Sequence, residues 1–217
     1  MNGFIAVNVL GGLLIITSLM VTLTKTVRRT AYVYAIQSLI LIGVFISLGV
    51  LTGSSDLFTW SITAFITKVL IVPGVLLFVD KKLNGSQPEL KPKISSVYIV
   101  LLVAVEVLIC YVVVQNIQLP TSIDVKPALA VSLAHFFIGL TCIAVQRNIL
   151  KQVLGYCLME NGAHLTLALL APNAPGLVEI GVTTDAFFAV IIMAVVAYRV
   201  YKTHQSLSAD DLNELKG

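Results

Sequence analysis

The stretch SVYIVLLVAVEVLICYVVV, residues 96–114, carries a single charged side chain, Glu106, in an otherwise apolar run. At a rise of about 1.5 Å per residue, such a run crosses a hydrocarbon layer about 30 Å thick as one helix. It has neither the polar face of a helix packed on a soluble core nor the alternation, over about 10 residues, of a barrel strand. Working outward, comparable runs lie at 3–24, 31–51 and 57–79 before it, and at 127–146, 150–171 and 177–200 after it. The pattern predicts an all-α polytopic membrane protein with seven transmembrane helices. Composition agrees: 58% of the 217 residues are hydrophobic and 12% charged, against about 25% charged in soluble domains. With mean hydropathy at +0.96, a soluble catalytic domain is excluded.

The least distinct boundary falls between the fifth and sixth runs, where only Gln146-Arg147-Asn148 and Lys151-Gln152 interrupt the apolar pattern. A tight turn is expected there, a single long helix being the other reading. The connections 80–95, with Gly85, Pro88 and Pro92, and 115–126, with Pro120, read as loops. Ser208 is expected to cap a short tail helix within 202–217 whose apolar side is Leu212 and Leu215, lying on a neighbour or on the membrane.

Of the 14 basic residues, 12 fall on alternate connections: Lys25, Arg28 and Arg29; Lys81, Lys82, Lys91 and Lys93; Arg147 and Lys151; Arg199, Lys202 and Lys216. The positive-inside rule then puts the N-terminus outside and the C-terminus in the cytoplasm. The net charge of +3 reports this topology rather than nucleic-acid binding. The first run has no basic leader or small-residue cleavage site and reads as a mature helix. Cys110, Cys142 and Cys157 lie inside apolar runs without paired spacing, so neither disulfides nor iron–sulfur ligation is expected.

Ionisable groups inside a bilayer cost about 2.5–3.5 kcal/mol each on insertion scales, so they mark function or deliberate pairing. Lys68, Glu106, His135 and Glu160 fall at the centres of spans three to six, and Asp185 lies in span seven toward the outside. Their shared depth points to a polar layer near the midplane that can pass protons. Each has a plainer reading. Lys68 serves equally as a counter-ion, Glu106 and His135 as bonds across helix contacts, and Asp185 as a group satisfied by Thr183 and Thr184. Glu160 and His164, four apart, share a helix face with Cys157 and Asn161 and can form a two-step relay. A metal bound by Cys, Glu and His there lacks a second ligand cluster. Gly162 leaves room for a neighbouring backbone. Pro73 removes a backbone donor just past Lys68 and predicts a kink, from packing or at an ion path. Glu179, close to the outer end of span seven, reads as an interfacial acid. Span seven has no central lysine, which excludes a retinal Schiff base.

Several motifs carry a family resemblance. Phe137 to Leu150, with Gln146-Arg147-Asn148-Ile149-Leu150, continuing through Leu154-Gly155 to Asn161, resembles the K chain of respiratory complex I and the C subunit of multisubunit sodium/proton antiporters, as does the acidic tail Leu207 to Gly217. Together with Ala64 to Leu70, Lys126 to Val131, His135-Phe136, Gly155 to Gly162 and Val178 to Gly181, the whole chain resembles the hydrogenase-4 component E family of formate hydrogenlyase-type membrane arms.

That resemblance implies a four-helix extension at 1–114, a three-helix K-like module at 115–201 and the tail at 202–217. It implies a bacterial inner-membrane subunit with no active site or cofactor of its own, contributing to proton translocation and assembly. The partners implied are the lipid bilayer, antiporter-like chains, and peripheral hydrogenase subunits holding the NiFe and iron–sulfur centres. A passive assembly scaffold and a subunit of a cation/proton antiporter are the other readings. The sequence departs from the K chain in one respect. The two membrane glutamates of that chain fall at Cys157 and near Ala189, whereas Glu160 lies three residues later and Asp185 four earlier.

Overall fold

The computed structural model describes residues 2–83, 92–117 and 125–210. Among them are seven helices long and apolar enough to cross a membrane, as the hydropathy pattern requires. In lipid a spanning chain must satisfy its own backbone polar groups, and helices do so within each segment. The order is α1 (Asn2–Leu23), α2 (Val27–Thr52), α3 (Ser55–Ala64), a π-helical stretch (Phe65–Ile71), α4 (Val72–Lys82), α5 (Ser96–Gln115), α6 (Lys126–Val145), α7 (Ile149–Leu170) and α8 (Gly176–His204). The third span, Ser55–Lys82, is α3, the π stretch and α4 in continuous succession.

Pro73 was expected to bend the chain just past Lys68. The break instead takes the form of the π stretch, which surrounds Lys68. Pro73 has no N–H for the carbonyl one turn before it, and upstream the register slips, so that the N–H of Val72 reaches the Thr67 carbonyl five residues back.

The fifth and sixth spans are separate helices. Gln146 is extended (ψ 138°), ending α6, and the Asn148 side chain accepts from the Lys151 N–H at 3.2 Å to start α7. The two then pack backbone to backbone. A Cβ on Gly139 would lie 2.3 Å from the Met159 nitrogen, and one on Gly162 2.4 Å from the Phe136 nitrogen. Small residues permit this approach where lipid supplies no hydrophobic drive between helices. The α6–α7 hairpin is accordingly the most buried part of the bundle, whereas α5 and α8 expose most of their length.

The basic connections gather at one end. Lys151, read as a loop residue, is buried there and donates to the Thr24 carbonyl, while Gln146 donates to the Thr22 carbonyl at 2.7 Å. Both side chains thereby satisfy carbonyls at the end of α1 that lack helical donors. Gln205, at φ 56°, terminates α8. The chain then folds back on the α6–α7 turn: Ile149 N–H donates to the Leu207 carbonyl at 3.0 Å, Ala209 N–H to the Arg147 carbonyl at 2.8 Å, and Arg147 pairs with Asp210 at 3.1 Å. Ser208 sits in this antiparallel pairing, opposite Asn148. Lys91, Gly85, Pro88, Pro120, Leu212, Leu215 and Lys216, and with them most of the expected tail helix, lie outside the described residues.

Candidate functional site

Buried polar side chains are spread over α1, α2, the third span, α6 and α7. Lys68, 2% exposed on the π stretch, donates to both carboxylate oxygens of Glu160 at 2.7 and 2.6 Å and to the Asn161 carbonyl at 2.7 Å. All three of its N–H donors thus have acceptors, which is what keeps a buried ammonium tolerable. Glu160 remains 12% exposed.

From this pair a chain of hydrogen bonds crosses the bundle. Asn161 Nδ2 donates to Gln37 Oε1 at 3.0 Å and lies 3.5 Å from the Tyr34 hydroxyl. Gln37 Nε2 faces His135 Nε2 at 3.1 Å, and His135 Nδ1 faces Ser18 Oγ at 2.7 Å. Ser18 donates to the Leu14 carbonyl at 2.5 Å. With the Gln37 amide donating, the imidazole accepts on Nε2 and carries its proton on Nδ1, toward Ser18. Five helical segments thereby share one polar thread, and Lys68, Asn161, Gln37, His135 and Ser18 are all buried.

A second constellation lies one turn further along α7. His164 Nε2 stands 2.6 Å from Glu179 Oε2, the two side chains being 0% and 1% exposed. The other Glu179 oxygen accepts from Thr63 at 2.5 Å and Thr183 at 2.8 Å. The ring of His164 is boxed by Phe45 and Trp60, centroids 4.9 and 5.2 Å away. The His164 ring is thus turned to Glu179, not to Glu160, although both acids flank the same stripe of α7. Glu179, read as an interfacial acid, is buried at the start of α8. Its partner Thr63 stands eight residues into the third span, about 12 Å along it, so the first turn of α8 packs beside the interior of that span rather than its end.

Glu106 and Asp185 stand apart from both clusters. Glu106, on α5, accepts from Thr141 on α6, its other oxygen having no partner among the described residues. Asp185 is exposed on α8 and makes no hydrogen bond or ion pair among the described residues, Thr183 being committed to Glu179. It lies within electrostatic reach of Tyr156, which Glu160 also influences. Among the described residues no three His, Cys, Asp or Glu side chains converge as a metal site, and the three cysteines are free and buried.

Sequence reasoning ranked the charged residues and passed over Gln37, Tyr34, Ser18 and Thr63. Neutral polar groups cost little on insertion, so charge does not flag them. The signal available was Gln37-Ser38 with Tyr34 one turn earlier, in the middle of an apolar span.

Taken together, these features define a multi-pass helical membrane protein whose interior carries a lysine–glutamate ion pair, a histidine–glutamate contact and a polar thread. Comparison with known proteins gives the particular family. Residues 127–217 match the family model of NADH-ubiquinone/plastoquinone oxidoreductase chain 4L. Hydrogenase-4 component E of Escherichia coli (strain K12) is 48% identical over 217 residues, covering 100% of both chains, and that of Shigella flexneri is equally similar. The C subunit of the Na(+)/H(+) antiporter of Alkalihalophilus pseudofirmus is 33% identical over 100 residues, covering 38% of this chain and 86% of the relative. No solved structure matches. The chain belongs to the hydrogenase-4 component E family.

Proposed function

We propose that this chain is a membrane-arm subunit of a complex I-like hydrogenase of the formate hydrogenlyase type, and that its buried polar layer holds and passes protons within that arm. The full-length similarity to hydrogenase-4 component E supports the first half. The second rests on one observation: the Lys68–Glu160 pair, buried between the third span and α7 and still open on the Glu160 side. A carboxylate whose counter-ion is a lysine can bind a proton when the ammonium withdraws, which is the exchange a proton-carrying site needs. Glu160 binds and releases the proton, and Lys68 sets its affinity. His164 with Glu179 forms a further acid–imidazole site, while Glu106 and Asp185 place carboxylates at the two flanks.

His135 takes a different part. The amides of Asn161 and Gln37 stand between it and Lys68, and an amide positions a proton without accepting one at ordinary pH. That end of the thread favours a second reading, a scaffold in which polar groups join helices.

The basic end of the bundle faces the cytoplasm on the positive-inside rule, with the N-terminus outside, in a bacterial inner membrane. Residues 1–114 then form an extension, and 115–201 a module of the K-chain type. The NiFe and iron–sulfur centres belong to peripheral partner subunits, and antiporter-like chains are its membrane neighbours.

The test is Glu160→Gln in the assembled complex. Proton translocation is expected to fall by an order of magnitude or more, at about 1.4 kcal/mol per tenfold, with the complex still assembled. Assembly, hydrogen turnover and proton translocation all at wild-type level would falsify the role given to Glu160.

A further inference from the structure

The outward face of α8 does not suit lipid. Leu177, Gly181, Thr184, Asp185, Phe188 and Ile192 are all exposed, at the three- and four-residue spacings of one helix face. Asp185 stands nine residues into the helix, about 14 Å from its start, level with the Tyr156 and Glu160 region of α7. A carboxylate facing acyl chains at that depth is strongly disfavoured. Beside it, Gly181 has open space around its Cα and Thr184 offers a hydroxyl. Small residues around a polar group, on an otherwise apolar face, are what associating membrane helices present.

We propose that this face receives a transmembrane helix of a different subunit, one that places a lysine, arginine or protonated histidine against Asp185. Charge complementarity selects the occupant. Among the described residues Lys68 and Lys151 are buried, Arg199 lies 14 residues further along α8, about 21 Å away, and the remaining lysines and arginines stand in end turns of helices or between helices, so a second copy does not present a base at the level of Asp185. Gly181 sets how closely the incoming backbone approaches, and the exposed apolar side chains on either side fix its course. The inference rests on the reading of the chain as a subunit, and it requires no movement of protons.

The experiment is site-specific photo-cross-linking in the assembled complex, with Phe188→p-benzoylphenylalanine and Asp185 intact. The expected adduct joins this chain to a different polypeptide, at an apolar span with a basic residue within one turn of the joined position. An adduct with a second copy, an adduct at a span lacking a base, or lipid adducts alone in an intact complex overturn this inference. Absence of any co-purifying chain overturns it together with the subunit reading. A second measurement uses charge. Asp185→Lys is expected to lower recovery of the chain with its complex at least tenfold, Asp185→Asn less, and an acid in place of the partner base restores Asp185→Lys. Recovery of Asp185→Lys at wild-type level overturns the inference.

Discussion

The two acid–base contacts on α7 are built differently. Lys68–Glu160 is open: one acid is partly exposed, and the ammonium is tied into amides that run on to α2, α6 and α1. His164–Glu179 is closed: both members are buried, two hydroxyls saturate one oxygen, and two aromatic rings box the imidazole. An open pair can exchange a proton with its neighbours, whereas a closed one is reached only when a wall moves. Depth alone does not separate them, since Glu160 and His164 are a single turn apart.

The comparison breaks most completely at Gly162, which lies between the two pairs. A Cβ there would fall 2.4 Å from the Phe136 nitrogen, so Gly162→Val is expected to drive α7 off α6 and cost about 3 kcal/mol or more. The measurement is thermal stability in detergent together with recovery in the membrane, and near-wild-type values for both would refute the backbone packing. Comparable in size is Lys68→Met, which leaves Glu160 and Asn161 facing an apolar side chain and is expected to cost about 3–5 kcal/mol in stability. Lys68→Met with Glu160→Met should recover most of that loss. If the double variant is no more stable than the single one, the two residues are not a pair.

Glu179→Gln probes the closed site at about 1–3 kcal/mol. Trp60 is the sole tryptophan, and its ring lies against His164, so its emission reads this site. Removing the counter-charge should brighten that emission, because an imidazolium quenches indole more strongly than a neutral ring. Unchanged emission would argue against a charged pair. The smallest effect is expected for Thr183→Val, which deletes one of the two hydroxyls on Glu179 and should cost about 0.5–1.5 kcal/mol, measured as a shift of the same thermal transition. A loss as large as that of Lys68→Met would mean that the closed site depends on its hydroxyls rather than on His164.

The fold was largely legible because hydrocarbon enforces a simple code: every spanning run must be long, apolar and helical, and seven such runs stand out. Which groups meet across the bundle was not. Lys68, Glu160 and His135 were found by their charge in an apolar setting and Asn161 by sharing the Glu160 stripe, yet Gln37, which joins Asn161 to His135, is an amide with no such signature. His164 was matched to Glu160 by helical spacing, while its ring faces Glu179, 15 residues away along the chain. Periodicity reports which residues share a stripe. It carries no information about where the first turn of α8 sits relative to the third span, and that placement decides the pairing.

The π stretch has a consequence for how one helix serves several neighbours. Ala64, Lys68, Val72 and Leu76 are all buried, at successive steps of four. On a straight α-helix each such step overshoots a full turn by about 40°, so three steps would wind the last position about 120° around the axis from the first. The wider turns between Phe65 and Ile71 take up that drift. The slip therefore acts as a phase corrector, holding Lys68 in line with the apolar positions above and below it, and a residue added or removed within it would rotate the ammonium away from Glu160.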